Sequence, residues 1–305
     1  MDFSERIKYE WNKSDNVLMR IVMINVILYL LFAAIIIVAK FGSLPALSEF
    51  AVKAFYLPAD ISDFVFRPWT LITYGFSHSL GDIFHILFNM LILYWFGQIV
   101  VSEIGSNRLL GLYIWGIVAG AVAFLMLYNL VPFFIQLRGS TLGLIGASAG
   151  VYAVVVAAGT LLPNMKMNLF LIGEVSLKWI ALGYVILSFV SLAGGNAGGN
   201  MAHLGGAGLG YLFIIQYKKG NDWSRPVVSV ITFFQNIFTR KPKMKAYRGG
   251  ASAKSDNANS QKQARAKKTA EEQNTIDAIL DKISDSGYES LTQKEKQILF
   301  QASKK

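Results

Sequence analysis

Four polar residues stand in stretches that are otherwise apolar: His85, Asn89, Ser148 and His203. An imidazole within about 2.6 to 3.2 Å of a hydroxyl can take its proton and make the serine a nucleophile. Ser148 lies in Gly146-Ala147-Ser148-Ala149-Gly150, whose small residues let a second helix or a substrate backbone reach the hydroxyl. The same G-x-S-x-G spacing marks the strand-to-helix elbow of soluble hydrolases, and no strand setting is expected here. His203 shares a helical face with Gly206 and Gly210, at i, i+3 and i+7, which forms a groove for close helix approach. His85 and Asn89 stand at i and i+4, and two donors beside a nucleophile are what a developing oxyanion needs. Each residue alone also suits packing, as an interface serine, a histidine bonded to a carbonyl, or an interhelical hydrogen-bonded pair. The pairing of hydroxyl with imidazole tilts the balance toward chemistry. His78, seven residues before His85, is expected to stabilise a loop.

Other hydrolytic chemistries fail on inventory. The chain has no Cys, so thiolate nucleophiles, disulfides and Cys-ligated metals are excluded. It contains no H-E-x-x-H, and its three histidines lack zinc-site spacing. Asp82 stands at a span edge without an intramembrane partner, which excludes a carboxylate dyad. No metal and no cofactor are expected.

The elements that must position these side chains are membrane spans. Of 305 residues, 53% are hydrophobic and 16% charged, against about 25% charged in a soluble domain. A hydrocarbon core of about 30 Å needs roughly 20 largely apolar helical residues. Six windows approach this: Ile21 to Ala39, Ile83 to Val101, Leu109 to Phe134, Leu142 to Leu162, Trp179 to Ala193 and Met201 to Tyr217. The first is expected to stay in the membrane rather than to be cleaved as a signal peptide. Glu174 and Lys178, just before the short fifth window, are expected in an interfacial loop. The fold class expected is therefore an all-α, polytopic, six-helix membrane bundle.

Charge sets the expected orientation. Residues 218–305 carry 18 Lys/Arg against 9 Asp/Glu, and residues 1–217 carry 11 against 10. A basic tail beside spans is a topology signal rather than a nucleic-acid site, which predicts cytoplasmic N- and C-termini in a bacterial inner membrane. With both ends inside, the second, fourth and sixth spans run inward, and His85, Ser148 and His203 meet at one depth near the outer face. The expected organisation is a cytoplasmic N-terminus (1–20), a six-helix domain (21–217), a basic interfacial and disordered linker (218–270) and a small helical hairpin (271–305). Within the linker, Pro226 to Phe238 is too short to span and is expected to lie on an anionic leaflet. In the hairpin, Thr292 and Glu295 form a capping-box pattern. The tail is a candidate surface for a cytoplasmic protein.

Taken together, the motifs resemble the rhomboid family of intramembrane serine proteases, over roughly residues 15 to 217. His85-Ile86-Leu87-Phe88-Asn89 resembles the family's H-x-x-x-N, Gly146 to Gly150 its G-x-S motif with Tyr152 one turn on, and Ala202-His203 with Gly206 and Gly210 its A-H-x-x-G-x-x-x-G. The resemblance implies Ser148 as nucleophile and His203 as general base, a dyad without an acidic third member. It implies an oxyanion hole from His85, Asn89 and the Ser148 backbone N–H, with Tyr152 packed on the His203 imidazole. The expected substrates are transmembrane proteins within the lipid bilayer, cleaved where their helices unwind in a cavity above Ser148, with the fifth span as gate. An inactive relative that binds membrane clients is the alternative. Two positions depart from the family pattern: Ala149 follows the serine where Gly is common, and Thr70 stands after Trp69 where Arg is common.

Overall fold

The computed structural model describes Glu5 and residues 16–170, 172–238, 275–287 and 290–302. The chain divides into two compact units, Met1–Lys241 and Pro242–Lys305.

In the first unit the main helices are α1 (Val17–Phe41), α2 (Ile83–Ile104), α3 (Ser106–Leu130), α4 (Ser148–Leu161), α5 (Leu177–Val190), α6 (Ala197–Lys218) and α7 (Ser224–Phe238). Their ends are set by side chains that satisfy the orphan N–H groups of a helix N-terminus. Asn16 accepts from Met19 N at α1, Asp82 from Phe84 and His85 N at α2, and Asn196 from Gly199 N at α6. Gly105, at φ 87°, ends α2 and admits the chain directly into α3.

Among the described residues, α1, α2 and α3 are long and apolar enough to cross a membrane. The other three expected spans are helical but miss that standard for different reasons. Helices α4 and α5 have 14 residues each, about 21 Å at 1.5 Å per residue. Helix α6 has 22 residues, and its many glycines dilute its apolarity. Leu30, Val38 and Phe41 of α1 are exposed, as a lipid-facing surface requires.

The core sits where α6 packs on both α3 and α4. Close approach is written in small residues: a Cβ on Gly206 would overlap the Ala149 carbonyl, and one on Gly210 the Ala153 carbonyl. Buried apolar side chains fill the remaining space, including Tyr113, Ile117, Phe124, Val154 and Phe213.

Two local expectations are corrected. The expected all-α character gives way at the loop before α5, where β1 (Lys166–Leu169) and β2 (Gly173–Ser176) form an antiparallel hairpin. Glu174 lies on β2 and pairs with Lys166 of β1 at 3.0 Å, and Lys178 falls in the first turn of α5 rather than in a loop. The fourth helix starts at Ser148 instead of Leu142. Leu144 exchanges both backbone hydrogen bonds with Leu57 (3.0 and 2.8 Å), which holds the approach to Ser148 extended.

Helix α7 continues from α6 through a turn fastened to α3. Arg108 Nε donates to Asp222 Oδ2 at 3.0 Å, and Trp115 Nε1 to the Trp223 carbonyl at 2.8 Å. The Asp222 carboxyl sits below its usual range: partial burial raises it, and hydrogen bonds from Ser224 and the Arg108 charge outweigh that. Most of the expected linker, residues 239–270, lies outside the described residues.

In the second unit a helix over 275–286 precedes the helix Gln293–Ala302. The capping box is formed: Thr292 N donates to Glu295 Oε2 (2.7 Å) and Glu295 N to Thr292 Oγ1 (3.4 Å). The hydrogen bond from Lys282, then those from Thr292, pull the Glu295 carboxyl down to about 2. A carboxyl depressed in the folded state contributes stability above its unfolded value of about 4.3 and loses it as pH falls further. On titration from pH 5 to 2 the amide resonances of residues 293–302 are therefore expected to move toward coil positions. Shifts that stay put over that window would show that the cap does not hold this helix.

Candidate active site

Three helices deliver the chemistry-bearing side chains to one end of the first unit. Ser148 is the first residue of α4, where the leading N–H groups have no intrahelical acceptor. Gly146, two residues before it, has φ +135° and donates its N–H to the Tyr74 carbonyl at 3.0 Å. Tyr74 is in turn fixed by its hydroxyl on the Ile117 carbonyl of α3 (2.5 Å). The sharp turn into α4 is thus tied to the α3 backbone, and Ser148 with it.

His203 lies one and a half turns into α6, on the face that carries Gly206. Its Nε2 is 2.7 Å from Ser148 Oγ. Close helix packing produces that distance, since α6 approaches α4 over Ala149 with no side chain between. The imidazole is stacked on the Tyr152 ring, with centroids 4.2 Å apart and planes 11° apart. Tyr184 of α5 meets Tyr152 edge-on at 5.1 Å. On the far side of the imidazole, Nδ1 lies 3.2 Å from Ser188 Oγ, and Ser188 Oγ donates to the Tyr152 hydroxyl at 2.9 Å. The tautomer with its proton on Nδ1 lets Nε2 accept from Ser148 O–H. That is the form a general base must have.

His85 and Asn89 are on α2, one turn apart. Asp82 accepts from the His85 N–H at 3.3 Å and fixes the first turn of that helix. Together with Ser148, Tyr152, Tyr184 and His203 they line a cavity of about 380 Å³. The space between His85 and Ser148 is held open by Gly146. A methyl built there would lie 3.5 Å from His85 Nε2 and 3.6 Å from Ser148 Oγ, and would also sit at a φ that L-residues rarely adopt. Gly146→Ala is therefore expected to lower turnover by about tenfold or more and to lower the melting temperature, because strain at such a φ costs about 1 to 3 kcal/mol. Steady-state kinetics with a thermal melt checks this; wild-type values in both would show that the gap is not needed.

His78, expected to stabilise a loop, lies just before α2 with neither ring nitrogen hydrogen-bonded. It is 1% exposed and packs edge-on against His85, with centroids 5.7 Å apart. Burial first, and the neighbouring His85 second, push its pKa down to about 3, which keeps it neutral. Thr70, at the departure from the family pattern, is buried and donates to the Arg67 carbonyl at 2.6 Å. The loop is closed there without an arginine at that position.

The structure thus brings Ser148, His203 and Tyr152 into direct contact and sets His85 and Asn89 across the same cavity. It adds Ser188, which the sequence did not single out. The available trace was its position four residues after Tyr184 in an apolar span, on one helical face.

Residues 65–219 match the family model of the rhomboid domain, and residues 259–305 match that of a family of unknown function (DUF6576). Among curated proteins, the chain is 31% identical to RHOMBOID-like protein 12, mitochondrial, of Arabidopsis thaliana, over 50% of this chain and 48% of that one. It is 30% identical to Rhomboid-like protein 16, chloroplastic, of the same plant, over 50% of each. It is 28% identical to Rhomboid protein 1, mitochondrial, of Saccharomyces cerevisiae, over 58% of this chain and 49% of the relative. The chain spans about half the length of the curated relatives it matches. These relatives overturn the expected bacterial inner membrane: each of them is a mitochondrial or chloroplastic protein. The cytoplasmic placement of both termini falls with it.

Proposed function

The chain belongs to the rhomboid family, and we propose that it is an intramembrane serine endopeptidase working through Ser148 and His203. The observation that carries this reading is the 2.7 Å contact between Ser148 Oγ and His203 Nε2, in a cavity that also holds His85 and Asn89. All six helices α1 to α6 are taken to cross the membrane, the shorter ones in a bilayer that thins locally around them.

The reaction runs in two halves. Ser148 Oγ attacks the carbonyl carbon of the scissile peptide while its proton passes to His203 Nε2. The oxygen that gains charge is met by the Ser148 N–H and by donors from His85 and Asn89. His203 returns the proton to the departing amide nitrogen, which leaves an acyl-enzyme on Ser148. A water then attacks the ester, giving its proton to His203, and Ser148 leaves with that proton restored.

The substrate class follows from backbone chemistry. Amides inside a membrane helix are internally hydrogen-bonded and shielded, so a scissile bond must lie where the helix unwinds. Segments with Gly, Ala, Pro or Ser near the membrane boundary meet that requirement. Proteins anchored by such segments are the proposed substrates.

The direct test is covalent capture. A fluorophosphonate probe is expected to label the purified protein at Ser148 and to leave Ser148→Ala unlabelled. Absence of labelling, with clients still bound, would favour a non-proteolytic binding protein. Removing one oxyanion donor has a separate signature. Asn89→Ala is expected to lower kcat by about 10²-fold with little change in KM, because the donor acts on charge present only in the transition state. A rise in KM at constant kcat would place Asn89 in substrate binding instead.

A further inference from the structure

Ser188 treats its hydroxyl differently from Thr160, another helix hydroxyl of this bundle. A serine or threonine within a helix ordinarily bonds a carbonyl one turn back. Half-buried Thr160 does so to Val156 at 2.7 Å, as does exposed Ser102 to Ile99 at 2.9 Å. Ser188 is 2% exposed, and its hydroxyl is directed across two helix interfaces, 2.9 Å from Tyr152 of α4 and 3.2 Å from His203 Nδ1 of α6.

One of the proton arrangements open to this bridge leaves the imidazole ready to act as a base. A hydroxyl has one hydrogen and two lone pairs. With that hydrogen on the Tyr152 oxygen, a lone pair faces Nδ1, and Nδ1 can occupy it only as a donor. The imidazole proton is then confined to Nδ1, and Nε2 is left bare toward Ser148. The stacked Tyr152 ring fixes the imidazole plane, while the Ser188 bridge fixes its rotation about the ring normal and its tautomer. Ring and bridge come from different helices, so together they hold the imidazole more completely than either does.

We propose that Ser188 is a positioning residue for the Ser148–His203 pair, a neutral hydroxyl in the place where a carboxylate stands in soluble serine proteases. This rests on the protease reading above. A neutral acceptor suits the location, since a carboxylate at this depth would carry the cost of a charge buried in the membrane. The groups facing the imidazole are Ser148 and Tyr152 of α4, Ser188 of α5 and, across the cavity, His85 of α2, with Tyr184 behind Tyr152. Among them Ser188 is the acceptor for Nδ1.

Three proteins decide the question: wild type, Ser188→Ala and Ser188→Thr, each reconstituted in vesicles as the full chain, with Ser148→Ala as reference. Ser188→Ala is expected to lose roughly tenfold in kcat at unchanged KM, the effect of one neutral hydrogen bond, and Ser188→Thr to restore most of it. In histidine-labelled protein the nitrogen resonances of His203 are expected to report the Nδ1–H tautomer in wild type and Ser188→Thr, and a mixed population in Ser188→Ala. An unaltered tautomer in Ser188→Ala overturns the proposal. If kcat and stability fall while the tautomer stays unaltered, Ser188 only fastens α5 to α4, which also overturns it. The tautomer needs no turnover to be read, so the Ser188 link is judged even if Ser148→Ala cleaves normally. That last result would instead remove the protease reading.

Discussion

Replacing Ser148 by alanine is expected to lower cleavage of a transmembrane substrate by on the order of 10⁴-fold or more, with substrate binding preserved. Loss of a serine nucleophile or its base removes the covalent path, and what remains comes from binding and the oxyanion donors. His203→Ala is expected to fall by a similar factor, because Nε2 at 2.7 Å from Ser148 Oγ gives the hydroxyl proton its acceptor. The double variant should then be no worse than either single one, since residues that act as a unit are not additive. Purified protein in vesicles, a tagged substrate and quantification of the cleaved fragment measure all three. A rate near wild type in either single variant would end the dyad assignment. Additive losses in the double variant would mean that serine and histidine serve separate steps.

The Ser148–His203 contact was legible because polar residues in apolar spans are rare, and these two fall at matching depths of alternate helices. Small residues around them, at positions 146 to 150 and at 206 and 210, announced close packing before any coordinates. What stayed hidden depends on long-range pairing or on very short periods. The stretch Leu142–Ala147 reads as the start of a span because Leu142, Leu144 and Ile145 are apolar, yet its backbone is claimed by Leu57, some ninety residues earlier. In the hairpin Lys166–Ser176, β1 alternates exposed and half-buried residues over only four positions and β2 breaks the alternation, too little to separate a strand from a loop by periodicity. Ser188 was passed over because serine in a membrane helix is normally absorbed by its own backbone. Asn25 escaped in the same way: fully buried on α1, it donates to the Ile21 carbonyl at 2.8 Å and to the Tyr113 hydroxyl at 3.3 Å. Its role is to join α1 to α3, and Tyr113 in turn holds the Gly75 carbonyl at 2.7 Å, in the loop that positions Gly146.

Gly206→Ala offers the sharpest test of whether packing distance, rather than residue identity alone, makes the site. The added methyl would overlap the Ala149 carbonyl oxygen and crowd its carbon at 2.8 Å. Backbone atoms cannot turn aside as a flexible side chain can, so α6 must move away from α4. Gly206 is three residues from His203 on the same face and Ala149 adjoins Ser148, so the displacement acts where the dyad meets. A misplacement of about 1 Å in a catalytic pair can cost about 10²-fold, and the loss here is expected to exceed that, with a lowered melting temperature from the opened interface. Gly208→Ala is the matched control on the same helix, with nothing within 4 Å of its added methyl. Alanine favours a helix over glycine by up to about 1 kcal/mol, so this variant should keep full activity and melt at the same temperature or slightly higher. If both variants fell alike, the loss would belong to a general sensitivity of α6 to added volume. If neither fell, the Ser148–His203 distance would not be governed by the α4–α6 contact.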